Sequence, residues 1–431
     1  MENNIIIVGG GFGGLRTALD LARQRIVKKD YRLIVLSKED VHEYNPLLYE
    51  VASGCNGVLT EKKMTKGITL RLSEFGRRAG FEFYKGEVSK VDAVKKQVVL
   101  KDGSCLEFKA LVLAPGAVPD FFDIPGLKEQ ALTLTNIKDA LLIRKKLMEL
   151  LDKKAWPIRI IVGGGGATGV ESAAEFAGDF HRLEREGVLQ NEDWSITLVE
   201  ASSRVLSTLS VEASEHARVR LEYLGVKVLR DTCIKRISDG RVVLAPRPLK
   251  EGEAVENLLC DFSVAAEKNF DFDFLLWAGG VRANPLLENS GFAVDKKGRV
   301  AATDTMEIAA YERENIYAIG DCVALADPQT GQLAPAMAQA AIAQGAVAAK
   351  NVLDDLEGFK IRHHYKFISY PVVAPLGGKN AIAVIGSWHF AGLVGWIIRQ
   401  LADLRYFLSI LPFTRALHIW FYGAWTYIKN D

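Results

Sequence analysis

Long uncharged apolar runs are missing from this 431-residue chain, and so are paired cysteines and any surplus of one charge. Fifty-four Lys plus Arg against fifty-three Asp plus Glu leave a net charge of +1, which removes nucleic acid from the expected partners. The five cysteines, Cys55, Cys105, Cys233, Cys260 and Cys322, are scattered. With no C-x-x-C and no zinc-like spacing among them, neither a redox disulfide between sequence neighbours nor a metal site is expected, and a reducing compartment is. Met1 is followed almost at once by a strand-like run, with no basic stretch or cleavable apolar segment before it, so the catalytic body is expected in the cytoplasm. The rest is ordinary globular composition, 49% hydrophobic and 25% charged, at a length that suits two to three domains.

What the chain does have is one kind of turn, twice. Ile5-Ile6-Ile7-Val8 runs into Gly9-Gly10-Gly11-Phe12-Gly13-Gly14, and Ile160-Ile161-Val162-Gly163 runs into Gly164-Gly165-Gly166-Ala167-Thr168-Gly169. Each is a β-branched run that stops at G-x-G-x-x-G and continues into an Ala- and Leu-rich helical stretch, the order of a dinucleotide-binding unit. The first glycine permits the tight turn, the second admits backbone to the pyrophosphate, and the third lets helix and strand pack closely, while the helix N-terminus offers N–H donors to phosphate. One chain is therefore expected to hold two dinucleotides in an α/β fold of two Rossmann-like domains.

The breaks along the chain suggest how they are arranged. Gly116, Pro119, Pro125 and Gly126 interrupt the pattern, and Phe274-Leu275-Leu276-Trp277 followed by Ala278-Gly279-Gly280 marks a second crossing. Residues 1–120 then form the first part of one domain, 121–280 a second domain inserted in it, 281–350 the return to the first, and 351–431 a C-terminal region. That last region holds Trp388, Trp396, Trp420 and Trp425, four of the seven tryptophans. Leu393, Ile397, Leu401, Leu404, Leu408 and Leu411 recur at helical spacing, Pro412 should end that helix, and Leu417, Phe421, Ala424 and Ile428 repeat the pattern. Arg399, Asp403, Arg405 and Arg415 interrupt every apolar run well short of the ~18 residues a bilayer requires. Two amphipathic helices lying on a membrane surface fit better, with Arg399, Arg405, Arg415 and Lys429 drawn to anionic lipid. The alternative is a helical hairpin packed on its own core, or on a sister subunit in a homodimer.

Two acids separate the dinucleotides. Glu200 closes the second strand of the second unit, where a carboxylate accepts from ribose hydroxyls and repels a 2′-phosphate, so NADH is expected there rather than NADPH; nearby Arg204 works against that preference. Ser37, followed by Lys38, stands at the matching place in the first unit. Asp321, after Ile319-Gly320 at a strand end, suits a ribityl chain and so points to FAD, unless it only caps a helix. A flavin-dependent oxidoreductase fed by NADH follows as the expectation.

These motifs resemble those of the type II NADH:quinone oxidoreductases, single-subunit flavoenzymes with two dinucleotide-binding domains. The resemblance rests on Ile7-Val8-Gly9-Gly10-Gly11-Phe12-Gly13-Gly14, on His42-Glu43-Tyr44-Asn45-Pro46-Leu47-Leu48-Tyr49-Glu50-Val51-Ala52, on Val162 through Glu171, on Trp277-Ala278-Gly279-Gly280-Val281, on Ile319-Gly320-Asp321-Cys322, on Ala338-Gln339 and on the Trp-rich tail. It implies that the first turn holds the FAD pyrophosphate, with Ser37-Lys38 by its ribose, Val88 at the adenine through backbone, and Asp321 at the ribityl chain. Ala338-Gln339 would lie against the flavin ring and the quinone head, and Glu171 beside the nicotinamide, where its other role is to complement a helix dipole. Gly164, Gly166, Gly169 and Glu200 would hold NADH. Two departures are visible: Ala343-Gln344 stands where the family often has paired glutamines, and Ala114-Pro115-Gly116 replaces a more usual Ala-Thr-Gly. The implied activity is electron transfer from NADH through FAD to a membrane quinone without proton pumping, at the cytoplasmic face of the membrane. Rival expectations are a sulfide:quinone or ferredoxin-type reductase of the same fold, and a non-catalytic NADH-sensing flavoprotein.

Overall fold

The computed structural model describes residues 3–54, 60–248 and 267–427. Cys55, Cys260, Ile428 and Lys429, all named above, lie outside the described residues. The chain divides into two compact units, Met1–Glu43 with Thr69–Val118 and Val281–Tyr370, and Tyr44–Ile68 with Pro119–Gly280 and Pro371–Asp431.

In the first unit a parallel five-stranded sheet runs in the order Ile316–Ala318, Ala110–Leu113, Asn4–Val8, Arg32–Ser37, Glu82–Lys85. Asn4–Val8 lies at its centre with all five residues buried. A run of Ile and Val without polar alternation suits such a place, because a central parallel strand is covered on both faces. Helix Phe12–Ala22 leaves the glycine turn and packs on helix Ala338–Glu357 through small residues. A Cβ on Gly345 would stand 2.6 Å from the Gly13 carbonyl oxygen, so the two backbones nearly touch. The Thr17 hydroxyl stitches them, 2.9 Å from the Gly13 carbonyl oxygen and 3.1 Å from that of Gly345.

The second unit repeats the scheme. Its parallel sheet runs Ala131–Thr133, Phe274–Trp277, Ile158–Gly163, Trp194–Val199, Val226–Leu229, again with the strand that feeds the glycine turn at the centre. Helix Ala167–Arg185 follows the turn.

The units are divided differently from the sequence expectation of 1–120, 121–280, 281–350 and 351–431. Residues 44–68 cluster with the second unit, and 351–370 with the first. Packing is the reason for the former: helix Leu48–Ser53 lies against Ile137–Asp152 and Ala167–Arg185, and the Arg144 Nε donates to the Gly54 carbonyl over 2.7 Å. For the latter, helix Ala338–Glu357 simply runs past residue 350 without a break.

The tail helices are where expected, Leu393–Ile410 and Phe413–Tyr427 on either side of Leu411-Pro412. Among the described residues no helix is long and apolar enough to cross a membrane. The orientation of the first helix corrects one expectation. The sequence puts Arg399 among the cations that meet lipid, yet Gly395, Arg399, Asp403 and Phe407 form the buried face, while Leu393, Ile397, Leu401 and Leu408 point outward. Close packing fixes this: a Cβ on Gly395 would sit 2.1 Å from the Ala381 carbonyl oxygen, so the helix rests directly on strand Ala381–Ile385.

Candidate active site

The two glycine turns adopt one geometry. Gly9 and Gly164 both have φ of +107°, a conformation that suits glycine, and each N–H donates over 2.8 Å to a carbonyl near the end of the neighbouring strand, Leu36 and Val199 respectively. A Cβ on Gly9 would stand 2.0 Å from the Ala114 carbonyl oxygen, and one on Gly164 2.5 Å from that of Ala278. Cβ atoms on Gly14 and Gly169 would stand 2.0 and 1.8 Å from the carbonyl oxygens of Gly9 and Gly164, so helix and turn are in contact there. Gly11 and Gly166 are the exception: at the helix N-cap, a Cβ would meet no protein atom within 4 Å. The middle glycine of each turn thus opens on space, beside a helix N-terminus that no side chain caps. A pyrophosphate fits that arrangement, since both open backbone and unpaired dipole favour an anion.

In the first unit, Phe12 meets His42 edge-on with ring centroids 5.3 Å apart, and the buried His42 Nδ1 donates to the Gly10 carbonyl over 2.9 Å. Burial pushes this imidazole down to about 4, so it stays neutral and props the turn as a fixed donor. The sequence shows no role for His42, because a contact across 32 residues leaves no local pattern. Ser37 ends its strand and accepts from the Gly86 N–H over 3.0 Å, Lys38 pairs with Glu87 at 3.7 Å, and Val88 opens strand Val88–Asp92. Asp321 lies in the single turn Gly320–Cys322, where the N-cap place belongs to Ile319, so helix capping is not its role. Burial raises its carboxyl pKa.

Ala338 and Gln339 begin a 20-residue helix whose N-terminus no side chain caps. Gln344, one turn further in, is buried, and its Oε1 accepts from the Gly320 N–H over 2.7 Å. It therefore fixes the Gly320-Asp321 turn against the helix that carries Gln339. The crossing Ala114-Pro115-Gly116 is likewise secured, by Ala114 N–H to Val8 O over 2.8 Å and Asn284 N–H to Gly116 O over 3.0 Å.

In the second unit, both oxygens of Glu200 accept backbone N–H donors, from Gly165 over 2.5 Å and from Ser202 over 2.6 Å. That anchors the carboxylate at the turn with lone pairs left for ribose hydroxyls. Arg204 turns instead to the carbonyls of Leu209 and Ser207, at 3.5 and 3.3 Å. Glu171 lies one turn into helix Ala167–Arg185, beyond its first turn, partly buried, and burial pushes its carboxyl up to about 8 against the opposing pull of Arg399. Two dinucleotide-type turns on two doubly wound sheets define a double dinucleotide-binding fold.

Residues 3–345 match the pyridine nucleotide-disulphide oxidoreductase family, and the chain belongs to that family. It is similar to the type II NADH:quinone oxidoreductase of Staphylococcus saprophyticus, 26% identical over 414 residues that cover 94% of this chain and 95% of that one. The corresponding protein of Haemophilus influenzae is 26% identical over 434 residues, covering 89% and 90%. The same fold is seen in the solved structure of NDH2 from Plasmodium falciparum in complex with NADH, with a TM-score of 0.81, 98% of each chain covered and 19% identity. The resemblance carried by the motifs therefore extends over nearly the whole chain.

Proposed function

We propose that the protein oxidises NADH and reduces a quinone with FAD as the carrier between them: NADH + H+ + quinone gives NAD+ + quinol. The observation that carries the proposal is the pair of matching turns, each open above its middle glycine, combined with an anchored acid at the second one only. FAD, when bound, supplies the two-electron chemistry that no side chain offers. The chain's own residues bind and orient. Gly9, Gly10, Gly11, Phe12, Gly13 and Gly14 take the FAD pyrophosphate, Ser37 and Lys38 its ribose, Val88 the adenine, Asp321 the ribityl chain, and Ala338 with Gln339 the ring and the quinone head. Gly164, Gly166 and Gly169 take the NADH pyrophosphate, and Glu200 its ribose. Glu171 is the residue that holds a proton near neutral pH, because burial outweighs the nearby guanidinium.

A long-tailed quinone lives in the bilayer, so the enzyme needs a membrane face. The outward stripe of the tail supports a peripheral one: Leu393 and Leu401 are each 56% exposed, Phe413 66% and Trp425 70%. The same reading puts it on the cytoplasmic side.

Anaerobic titration tests the reaction. One NADH per flavin should bleach the flavin absorbance, and one quinone should restore it. A flavin that NADH leaves oxidised would favour a sensor, and one that NADH bleaches but quinone does not restore would favour a protein acceptor of the ferredoxin type.

A further inference from the structure

The tail has few cations to set beside its apolar stripe. On helix Leu393–Ile410, Arg399 is turned inward: it pairs with Asp403 and donates from Nη2 to the Pro46 carbonyl over 2.8 Å, while Asp403 accepts from the Tyr44 hydroxyl over 2.6 Å. Arg405 is exposed on that helix. Helix Phe413–Tyr427 bears the exposed rings of Phe413, Phe421 and Trp425, yet Arg415 is its one formal charge. Charge for an anionic surface must come largely from another part of the chain.

Helix Glu61–Lys66 supplies it. The Tyr422 hydroxyl donates to the Lys63 carbonyl over 3.1 Å, a contact across 359 residues, and the Lys66 ammonium lies 4.8 Å from the centre of the Tyr422 ring. Met64 is the inward anchor of this short helix, fully buried, whereas Lys62, Lys63 and Lys66 are exposed. At 100° per residue, Tyr422 lies about 100° round its helix from Phe421 and about 60° from Trp425, which is the border of the apolar stripe. The lysines therefore run along one edge of that stripe. Among the described residues none of the three is in an ion pair, whereas Lys38 and Lys101 pair with Glu87 and Lys85 with Glu39. Lysines in a last turn complement the helix dipole, but that accounts for Lys63 and Lys66 alone and needs no aromatic neighbour.

We infer that Lys62, Lys63 and Lys66 form, with Phe413, Phe421 and Trp425, one docking surface for a bilayer of anionic lipid: the rings enter among the headgroups and the lysines meet the phosphates. The inference rests on the peripheral-membrane reading given above and adds which residues sense the charge of the lipid. Three unpaired ammonium groups beside exposed aromatic rings match the chemistry of an anionic interface, where a basic edge and an apolar face are engaged together. A lysine stem can lie along the apolar surface while its ammonium stays at headgroup level. A protein partner fits less well, because lysine is depleted where two protein surfaces meet.

The test is flotation of the full-length, flavin-loaded protein with two kinds of vesicle, phosphatidylcholine alone and phosphatidylcholine mixed with phosphatidylglycerol. Wild type should bind the anionic vesicles more tightly. The triple variant Lys62→Gln, Lys63→Gln, Lys66→Gln should bind them about a hundredfold more weakly, about fivefold for each lysine, with binding to phosphatidylcholine unchanged. Arginine at all three positions should keep wild-type binding, and added salt should shrink the gap between wild type and the glutamine variant. Lys128→Gln, Lys235→Gln, Lys268→Gln removes the same charge at exposed positions on and beside the antiparallel sheet of Thr232–Ser238, Arg241–Pro246 and Lys268–Asp271, and should bind as wild type does. An equal loss in both glutamine variants, or no loss in the first, overturns this inference and leaves the membrane reading standing. So does a first variant that keeps its vesicle binding and loses a dimer, which would assign the lysines to a second copy of the chain. Wild-type protein that floats with neither vesicle overturns both.

Discussion

The Gly165 N–H donates to Glu200 Oε2 over 2.5 Å, which ties the acid at the end of one strand to the turn at the end of its neighbour. A carboxylate fixed in this way cannot swing aside for a 2′-phosphate. The preference for NADH over NADPH should therefore narrow in Glu200→Gln by about tenfold, roughly the effect of removing one like-charge contact. The ratio of kcat/KM for the two nucleotides measures it, and an unchanged ratio would show that Glu200 does not set the preference.

The middle and last glycines of the first turn should fail in different ways. At Gly11 the protein leaves room for a side chain, so Gly11→Val should fold and yet bind almost no FAD, because its isopropyl group occupies the place of the pyrophosphate. At Gly14 a methyl would stand 2.0 Å from the Gly9 carbonyl oxygen, so Gly14→Ala should lower the thermal midpoint of the apoprotein itself. Flavin content and melting of the two variants decide the matter; a fully flavinylated Gly11→Val protein contradicts the assignment. Gly166→Val should keep its FAD and raise the KM for NADH at least about tenfold.

His42 gives stability a pH dependence. Its imidazole, pushed down to about 4 by burial, binds fewer protons folded than unfolded at pH values below its ordinary 6.5. Stability from this group is thus complete above that value, falls as pH drops through the window, and levels off below about 4, for a loss of up to about 3 kcal/mol. His42→Asn keeps a donor for the Gly10 carbonyl but cannot titrate. Urea midpoints of the two proteins should converge as pH falls from 7 to 4.5, and parallel curves would refute the role.

The tail calls for point substitutions rather than removal. Cutting the chain near Gly386 would strip helix Leu393–Ile410 from strand Ala381–Ile385 and leave Tyr44 and Pro46 without Asp403 and Arg399, so the shortened protein should be insoluble or inactive. Leu401→Glu with Trp425→Glu changes the outward stripe only. That pair should abolish flotation with anionic liposomes and slow turnover with long-tailed quinones, while water-soluble quinones are reduced at near the wild-type rate. Undiminished flotation would remove the membrane reading; a dimer that dissociates in the variant would assign the stripe to a second copy of the chain.

Much of this protein is legible from its residues because a glycine turn is local chemistry. The conformation at Gly9 and Gly164, the open space at Gly11 and Gly166 and the strand before each turn all follow from a few consecutive residues, and so does the acid Glu200 at the end of a short apolar run. Helical periodicity likewise identifies the tail helices and Pro412 their junction. Periodicity cannot tell which side of a helix faces in when both sides offer a candidate. The leucines at helical spacing read as a stripe for a membrane surface or, alternatively, for the protein's own core; here the buried face is the one bearing Arg399 and Asp403, because Tyr44 and the Pro46 carbonyl, more than 350 residues away, supply the partners that make burial of those charges tolerable. The supporting roles of His42 at Gly10 and of Gln344 at Gly320, and the membership of residues 44–68 in the second unit, were decided in the same way, by contacts that exist only once the chain has folded.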